Sequence, residues 1–140
     1  MVVLSPLLHL AGFYQPPFAI ETETSIEIAA EDEGEIVKGN IDVLLVQQCF
    51  WMLVIESKQA KFDVMTALPQ ALVYMLHAPD SQQQTWGMLV NGREFVFIKL
   101  VQKENPQYCH SYALPIERPQ EFHEVLSLLK YLGQIVNTEN

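Results

Sequence analysis

Residues 39–74 hold the feature that most constrains the fold, a pair of apolar runs separated by a short polar break. The runs are Ile41–Val46 and Phe50–Ile55, and the break is Gln47-Gln48-Cys49. Runs of this length, rich in Val, Ile, Leu and aromatic residues, are typical of buried strands. The stretch therefore predicts a β-hairpin around which the rest of the chain packs.

Three charged residues interrupt this apolar block. Asp42 lies near the start of the first run, and Glu56 and Lys58 close the second. If the turn centres on Cys49, antiparallel partners have residue numbers that sum to 98. Asp42 and Glu56 would then face each other, with their Cβ atoms about 4.5–5.5 Å apart. Glu56 and Lys58 are two residues apart on one strand, so they would share a face.

Two explanations fit these charges. Facing carboxylates repel, which favours either a raised pKa for one of them or a cation between them. Mg²⁺ takes oxygen ligands of this kind and would polarise a phosphoryl oxygen, while a neighbouring lysine offsets developing negative charge. The same residue types fit a salt bridge at a strand end, between Lys58 and either Asp42 or Glu56. Both explanations stay open on residue types alone.

The spacing of these residues resembles that of a nuclease family. Asp42 followed by Glu56-Ser57-Lys58 is similar to the D…ExK core of the PD-(D/E)xK nuclease superfamily. Gln70-Ala-Leu-Val-Tyr74 resembles the QxxxY motif of its RecB-like nucleases. Together with Trp86–Phe95, the pattern resembles the N-terminal nuclease domain of type I restriction enzyme R subunits over roughly residues 1–100.

The resemblance implies Mg²⁺- or Mn²⁺-dependent hydrolysis of phosphodiester bonds in DNA, and a role for each matching residue. Asp42 and Glu56-Ser57 would hold the metal, the serine through its carbonyl oxygen. Lys58 would serve the nucleophile. Gln70 would hydrogen-bond a metal ligand or a phosphate, and Tyr74 would stack or bond nearby.

One expected ligand is missing. In the resembled family an acidic residue often comes from the first helix, and the helix that Ser5, Pro6 and Gly12 predict for residues 4–12 contains no acid. Either the site has fewer ligands, or Glu21 or Glu27 from the next strand substitutes. The missing acid favours an alternative function, a catalytically inactive nuclease-like module for binding or assembly.

The remaining patterns predict an α/β fold, a restriction-endonuclease-like mixed β-sheet of four to five strands flanked by helices. Alternation predicts a strand over residues 18–30, and Asn91-Gly92 predicts a hairpin between two apolar strands. Residues 107–114 are compatible with an edge strand. From Pro119 onwards, apolar residues at helical spacing predict a helix for packing or dimerisation.

Length and composition fit one soluble domain over residues 1–140, with 49% hydrophobic residues. Apolar runs are far shorter than the ~20 residues of a membrane span, and the start of the chain lacks a basic region, so we expect neither a membrane nor a signal peptide. Two cysteines and scattered histidines argue against a disulfide scaffold and a zinc site. We expect a cytoplasmic protein.

Charge limits the partners that the chain binds alone. Eight basic residues stand against 17 acidic ones, a formal net charge of −9. Affinity for nucleic acid comes largely from neutralisation of phosphates by Lys and Arg. We therefore expect weak binding to DNA by the isolated chain, with a homo-oligomer, a partner subunit or a short substrate supplying the rest.

Overall fold

The computed structural model describes residues 4–30, 35–102, 104–117 and 119–139. In chain order the elements are α1 (Leu4–Leu10), β1 (Ala19–Ala30), β2 (Glu35–Gln47), β3 (Phe50–Ser57), a 3₁₀ turn (Val64–Ala67), α2 (Leu68–Met75), β4 (Gln84–Val90), β5 (Glu94–Val101), β6 (Gln107–His110), β7 (Leu114–Pro115) and α3 (Pro119–Glu139). No helix in these ranges is both long enough and apolar enough to cross a membrane.

The strands form a mixed seven-stranded sheet in the order β1-β2-β3-β4-β5-β6, with β7 also pairing with β5. Every neighbouring pair is antiparallel except β3 and β4, which run parallel. A parallel pair requires a crossover, and α2 makes it here. The α/β class is thus confirmed. The sheet exceeds the expected four to five strands because residues 107–114 form two short strands on β5.

The two faces of the sheet bury separate hydrophobic clusters. We call the first the α1/α3 face, which includes Leu7, Phe13, Leu53, Val125 and Leu129. The second, the α2 face, includes Val54, Ala71, Tyr74, Met75 and Leu89. Full burial of one such side chain contributes about 1.5–3 kcal/mol. Burial of Val125 and Leu129 shows that the apolar stripe of α3 packs on the sheet. Of the two expectations for this helix, packing or dimerisation, this agrees with packing.

The hairpin of β2 and β3 has the predicted register at one end and a shorter turn at the other. Gln47 pairs with Phe50, which leaves a two-residue turn in which Gln48 has φ 57°. The register shifts by one between Leu45 and Val46, through a bulge in β3. Beyond the bulge the partner numbers sum to 98, as the sequence predicts for the charged end.

Candidate active site

Strands β2 and β3 bring Asp42 to Glu56 and Ser57. Val43 pairs with Ile55, so one step along the hairpin places Asp42 opposite Glu56. The backbone N–H of Ser57 donates to Asp42 Oδ2 at 2.9 Å, and Ser57 Oγ donates to the same oxygen at 3.3 Å. These two bonds hold the Asp42 carboxylate beside β3.

The backbone is irregular at Asp42. Pairing of β1 with β2 is regular on both sides but skips the step at which Glu23 and Asp42 would pair, and Glu23 has φ 52°. Ile41 and Leu44 pack on the α2 face, whereas Val43 packs on the other, so the strand alternation is interrupted at this point. A positive φ outside glycine is uncommon and costs about 1–3 kcal/mol. The strained step thus coincides with a carboxylate of the candidate site.

Glu56 is buried, with 3% of its surface exposed, and its Oε1 has no hydrogen-bond partner among the described residues. Burial, the hydrogen bond with the Asp42 side chain and the negative charge of that side chain together raise the pKa of Glu56 to about 8. A backbone hydrogen bond from Asp42 and the charge of Lys58 oppose this rise. Near neutral pH the Glu56 carboxyl is therefore mostly protonated beside Asp42.

Lys58 follows β3 directly and is anchored to the neighbouring strand. Its backbone N–H donates to the Val90 carbonyl oxygen at 2.9 Å. The ammonium group acts on Glu56 through its charge, which lowers the pKa of that carboxyl. The hairpin and its parallel neighbour thus assemble the predicted group of two carboxylates and one ammonium.

Gln70 and Tyr74 lie one turn apart on α2, on the same face of the sheet as Val54, two residues before Glu56. Gln70 Nε2 donates to the Tyr74 hydroxyl oxygen at 2.7 Å. Tyr74 is 2% exposed and packs on Gly39 of β2, where a Cβ atom would lie 2.7 Å from the hydroxyl oxygen. The two residues thus lie on one face of α2, and the tyrosine ring packs in the core, with its hydroxyl group bonded to Gln70.

The two acids of β1 that were expected as substitute ligands stay outside this group, whereas the exposed Glu23 lies at the register step of Asp42. Glu21 lies opposite Leu44 and Glu27 opposite Lys38, and both side chains are exposed. Within the described ranges, no three His, Cys, Asp or Glu residues are arranged to hold a metal ion. The structure therefore provides two carboxylates, Asp42 and Glu56, and no described acid of α1 or β1 is arranged with them to hold a metal ion.

These two carboxylates fit a hard, oxygen-binding divalent ion better than a softer metal such as Zn²⁺ or Cu²⁺. Mg²⁺ usually binds to one or two carboxylates and completes its octahedron with water and substrate phosphate. The partnerless Oε1 of Glu56 is a buried acceptor that a cation would satisfy. The residues present are thus compatible with Mg²⁺ or Mn²⁺ in number and in chemistry.

A second layer of residues was not predicted as part of the site. The turn after β4 fixes the loop after Lys58, because Asn91 Nδ2 donates to the Phe62 carbonyl oxygen at 2.9 Å and Arg93 Nη2 donates to it at 3.3 Å. Asn91, only 1% exposed, also accepts bonds from two backbone N–H groups of its own turn. The sequence shows this asparagine as a turn residue, and its bond across 29 residues has no local signal.

Comparison with known proteins supports the fold. The sequence matches no protein-family profile and no curated protein. The structure is similar to a solved fragment from Vibrio vulnificus YJ016, assigned to the HsdR subunit of a type I restriction enzyme, with a TM-score of 0.52 and 19% sequence identity. The match covers 91% of this chain and 24% of that one. The chain therefore has a restriction-enzyme-related fold and spans about a quarter of the length of that solved fragment.

Proposed function

We propose that this chain is a nuclease domain that hydrolyses phosphodiester bonds of DNA with Mg²⁺ or Mn²⁺. The observation that carries the proposal is the buried Glu56 carboxyl, held against Asp42 with one oxygen unpartnered. A buried carboxyl beside a second acid, without a fixed cation, is costly for stability and is typical of functional sites. The restriction-enzyme-related fold supports the same conclusion.

Each residue of the group has a distinct part in this proposal. When bound, the metal would polarise a phosphoryl oxygen. Asp42 and Glu56 would hold it, with the Ser57 carbonyl as a third ligand, and the Ser57 N–H fixes the Asp42 carboxylate in place. Lys58 would act on the attacking water or on the negative charge that develops at the phosphate.

Gln70 and Tyr74 would support this group from α2. The Tyr74 ring packs on Gly39, three residues before Asp42, and so positions the strand that carries the carboxylate. Gln70 is exposed, and its amide oxygen would reach towards a metal-bound water or its NH₂ group towards a phosphate. We propose a positioning role for the tyrosine and an assisting role for the glutamine.

DNA would bind to this site with help from another surface. A chain of net charge −9 neutralises few phosphates by itself. We propose that a partner subunit or a second copy supplies further contacts, which agrees with the similarity to a subunit fragment of a larger enzyme.

A paired assay tests the function. Wild-type protein should nick supercoiled plasmid with Mg²⁺ or Mn²⁺, and Lys58→Met, which deletes the charge and keeps the apolar stem, should lower the rate about 10²–10³-fold. Lys130→Met, a matched change at an exposed position on α3, should leave the rate unchanged. Robust nicking that survives Lys58→Met would refute the role given to this lysine.

The second candidate function is a nuclease-like module that binds or assembles without cutting. It is favoured by the absence, among the described residues, of a third acid arranged to hold a metal with Asp42 and Glu56, and by the acidic balance of the chain. In that case wild-type protein would nick neither single- nor double-stranded DNA with any divalent metal. Lys58→Met would then lower only the stability of the metal-free protein.

A further inference from the structure

We propose that the loop after Lys58 is a stacking platform for an unpaired base. The ligand of this loop would then be a single-stranded nucleic acid. The inference rests on the proposed function for its ligand class and adds a binding site outside the carboxylate group. It is carried by Phe62, a large aromatic side chain that is 47% exposed in a loop with little freedom to move.

Three hydrogen bonds hold the loop. The Phe62 N–H donates to the Gln59 carbonyl oxygen at 3.0 Å, which closes a β-turn. The Phe62 carbonyl oxygen accepts from Asn91 and Arg93 of the facing turn. In that turn, a Cβ atom added at Gly92 would lie 3.9 Å from the Ala60 Cβ, in ordinary contact. The ring is therefore presented to solvent from a backbone that is fixed in advance, which lowers the entropy cost of binding.

One basic side chain lies over the ring, and another binds the backbone of the same residue. Lys61 Nζ lies 5.3 Å from the centre of the Phe62 ring, and Arg93 reaches the Phe62 carbonyl. With Lys58, three of the eight basic residues of the chain lie in these two adjoining loops. An aromatic ring flanked by cations is the combination with which proteins bind single strands, through base stacking and phosphate neutralisation.

Nearby acidic side chains repel phosphates and therefore restrict the path that a bound nucleic-acid strand could take. Asp63 is engaged at the start of the 3₁₀ turn, where its Oδ1 accepts the Met65 N–H at 2.8 Å, and Glu94 lies in β5 beyond the facing turn. Asp42 and Glu56 lie on the other side of Lys58. A divalent cation between those two carboxylates would offset their repulsion of phosphate. The strand would thus pass from the carboxylate pair, over Lys58, to the Phe62 ring.

The separation of Lys58 and Phe62 is compatible with a base that lies one or two nucleotides from the reacting phosphate. The β-turn keeps the Cα atoms of Gln59 and Phe62 within about 7 Å, and one more residue adds about 3.8 Å, so Lys58 and Phe62 are at most about 11 Å apart at Cα. A duplex keeps its bases stacked on each other, which leaves no free face for the ring. The platform would therefore prefer unpaired strands.

Fluorescence anisotropy with labelled oligonucleotides tests the platform. Wild-type protein at low salt, in Ca²⁺ and separately in EDTA, should bind a single strand more tightly than the duplex of the same sequence. Phe62→Ala should weaken single-strand binding about 5- to 100-fold, the range found for loss of one stacked base, and should change duplex binding little. Phe62→Leu, which keeps apolar area without a π face, should lose nearly as much. Tyr112→Ala, a change at an aromatic residue 71% exposed elsewhere, should lose nothing.

Further measurements separate the contribution of charge from that of base stacking. Lys61→Gln should lower the salt dependence of single-strand binding by about 0.7 in the log–log slope. An RNA strand of the same sequence distinguishes the two sources of an unpaired base, because the ring would stack on either. Thermal melts should show all variants folded, since Phe62 and Lys61 are exposed.

The outcomes distinguish this inference from the proposed function. Binding that depends on Phe62, without any cleavage of DNA, supports the platform and refutes the nuclease. Cleavage with single-strand binding unchanged in Phe62→Ala refutes the platform alone. Equal losses on duplex and single strand, or no single-strand binding in either buffer, also refute it.

Discussion

At the scale of the residue, the protonation state of Glu56 links the site to stability. Its carboxyl group is buried beside Asp42, and burial together with the hydrogen bond and charge of the Asp42 side chain raises its pKa from 4.5 to about 8. The folded protein then binds this proton more tightly than the unfolded chain does. The resulting stabilisation is complete below about pH 4.5 and is lost as the pH rises towards 8.

We predict that metal-free wild-type protein loses stability between these two pH values relative to Glu56→Gln. The difference in unfolding free energy between the two proteins should change by up to about 1.4 kcal/mol per pH unit. Denaturant titrations at several pH values measure it, and Glu124→Gln, at an exposed position on α3, should follow wild type. Parallel curves for wild type and Glu56→Gln would contradict the raised pKa.

The affinity for a metal ion should also depend on the protonation of Glu56. Because a cation competes with the Glu56 proton, Mn²⁺ affinity measured by calorimetry should rise with pH up to about pH 8. Asp42→Asn should abolish most divalent-ion binding while the protein stays folded. Asp80→Asn, an exposed match, should bind as wild type does. Unchanged Mn²⁺ affinity in Asp42→Asn would refute the metal site.

At the scale of the element, one glutamine bridges the turn end of the sheet. Gln82, 4% exposed, accepts the Trp51 N–H at 3.0 Å and donates to the Trp51 carbonyl oxygen at 2.6 Å. Its Nε2 also lies 3.0 Å from the Gln84 carbonyl oxygen. The side chain thus ties β3, next to its bulge, to the start of β4.

We predict that Gln82→Ala destabilises the protein by about 1–3 kcal/mol, because it leaves the peptide groups at Trp51 without their partner. Gln83→Ala, at the exposed neighbouring position, should change the free energy of unfolding by less than about 0.5 kcal/mol. Urea titrations of both variants make the comparison. Equal effects at the two positions would show that the bridge contributes little.

The packing of α2 on β2 allows a second test at this scale. A methyl group at position 39 would meet the Tyr74 hydroxyl oxygen at 2.7 Å, so Gly39→Ala should destabilise the protein by about 1–3 kcal/mol. Adding Tyr74→Phe should recover part of this loss because it removes that oxygen. Thermal melts of the single and double variants measure the coupling, and strictly additive effects would argue against the contact.

At the scale of the whole molecule, the charge balance limits the DNA binding that we propose for the chain. With eight basic and 17 acidic residues, the molecule repels polyanions at long range, and its described site cations cluster at Lys58, Lys61 and Arg93. Attraction is therefore local, whereas non-specific duplex binding requires many phosphate contacts. This is the physical reason for proposing a partner or a second copy in DNA binding.

We predict that the isolated chain binds plain duplex DNA no tighter than about 10⁻⁴ M at physiological salt, the weak end of non-specific affinity. Gel shifts and anisotropy over a salt series measure it. The platform proposed at Phe62 acts on unpaired strands at low salt and does not change this expectation. Tight duplex binding by the purified chain, with a steep salt dependence, would contradict the charge argument.

Local patterns determined most elements of this fold. Strand alternation and hairpin spacing predicted β1–β5, and the pairing of β2 with β3 in a hairpin followed because antiparallel neighbours are close in the sequence. Asp42 and Glu56 were expected to meet from a turn centred on Cys49, and they meet through a shorter turn and a bulge. The i, i+4 spacing of Gln70 and Tyr74 puts them on one face of a helix. The helices α1 and α3 were readable from their end signals and their apolar spacing.

Tertiary structure alone decided the rest, since burial and long-range contacts have no period in the sequence. The register at Asp42 depends on a short turn and a compensating bulge. The raised pKa of Glu56 depends on its burial on the α2 face, and the position of Phe62 depends on Asn91, far along the chain. The sequence determined that Asp42, Glu56 and Lys58 lie at one end of a hairpin. Packing determined the protonation of Glu56, the backbone strain opposite Asp42 and the surface around the three residues.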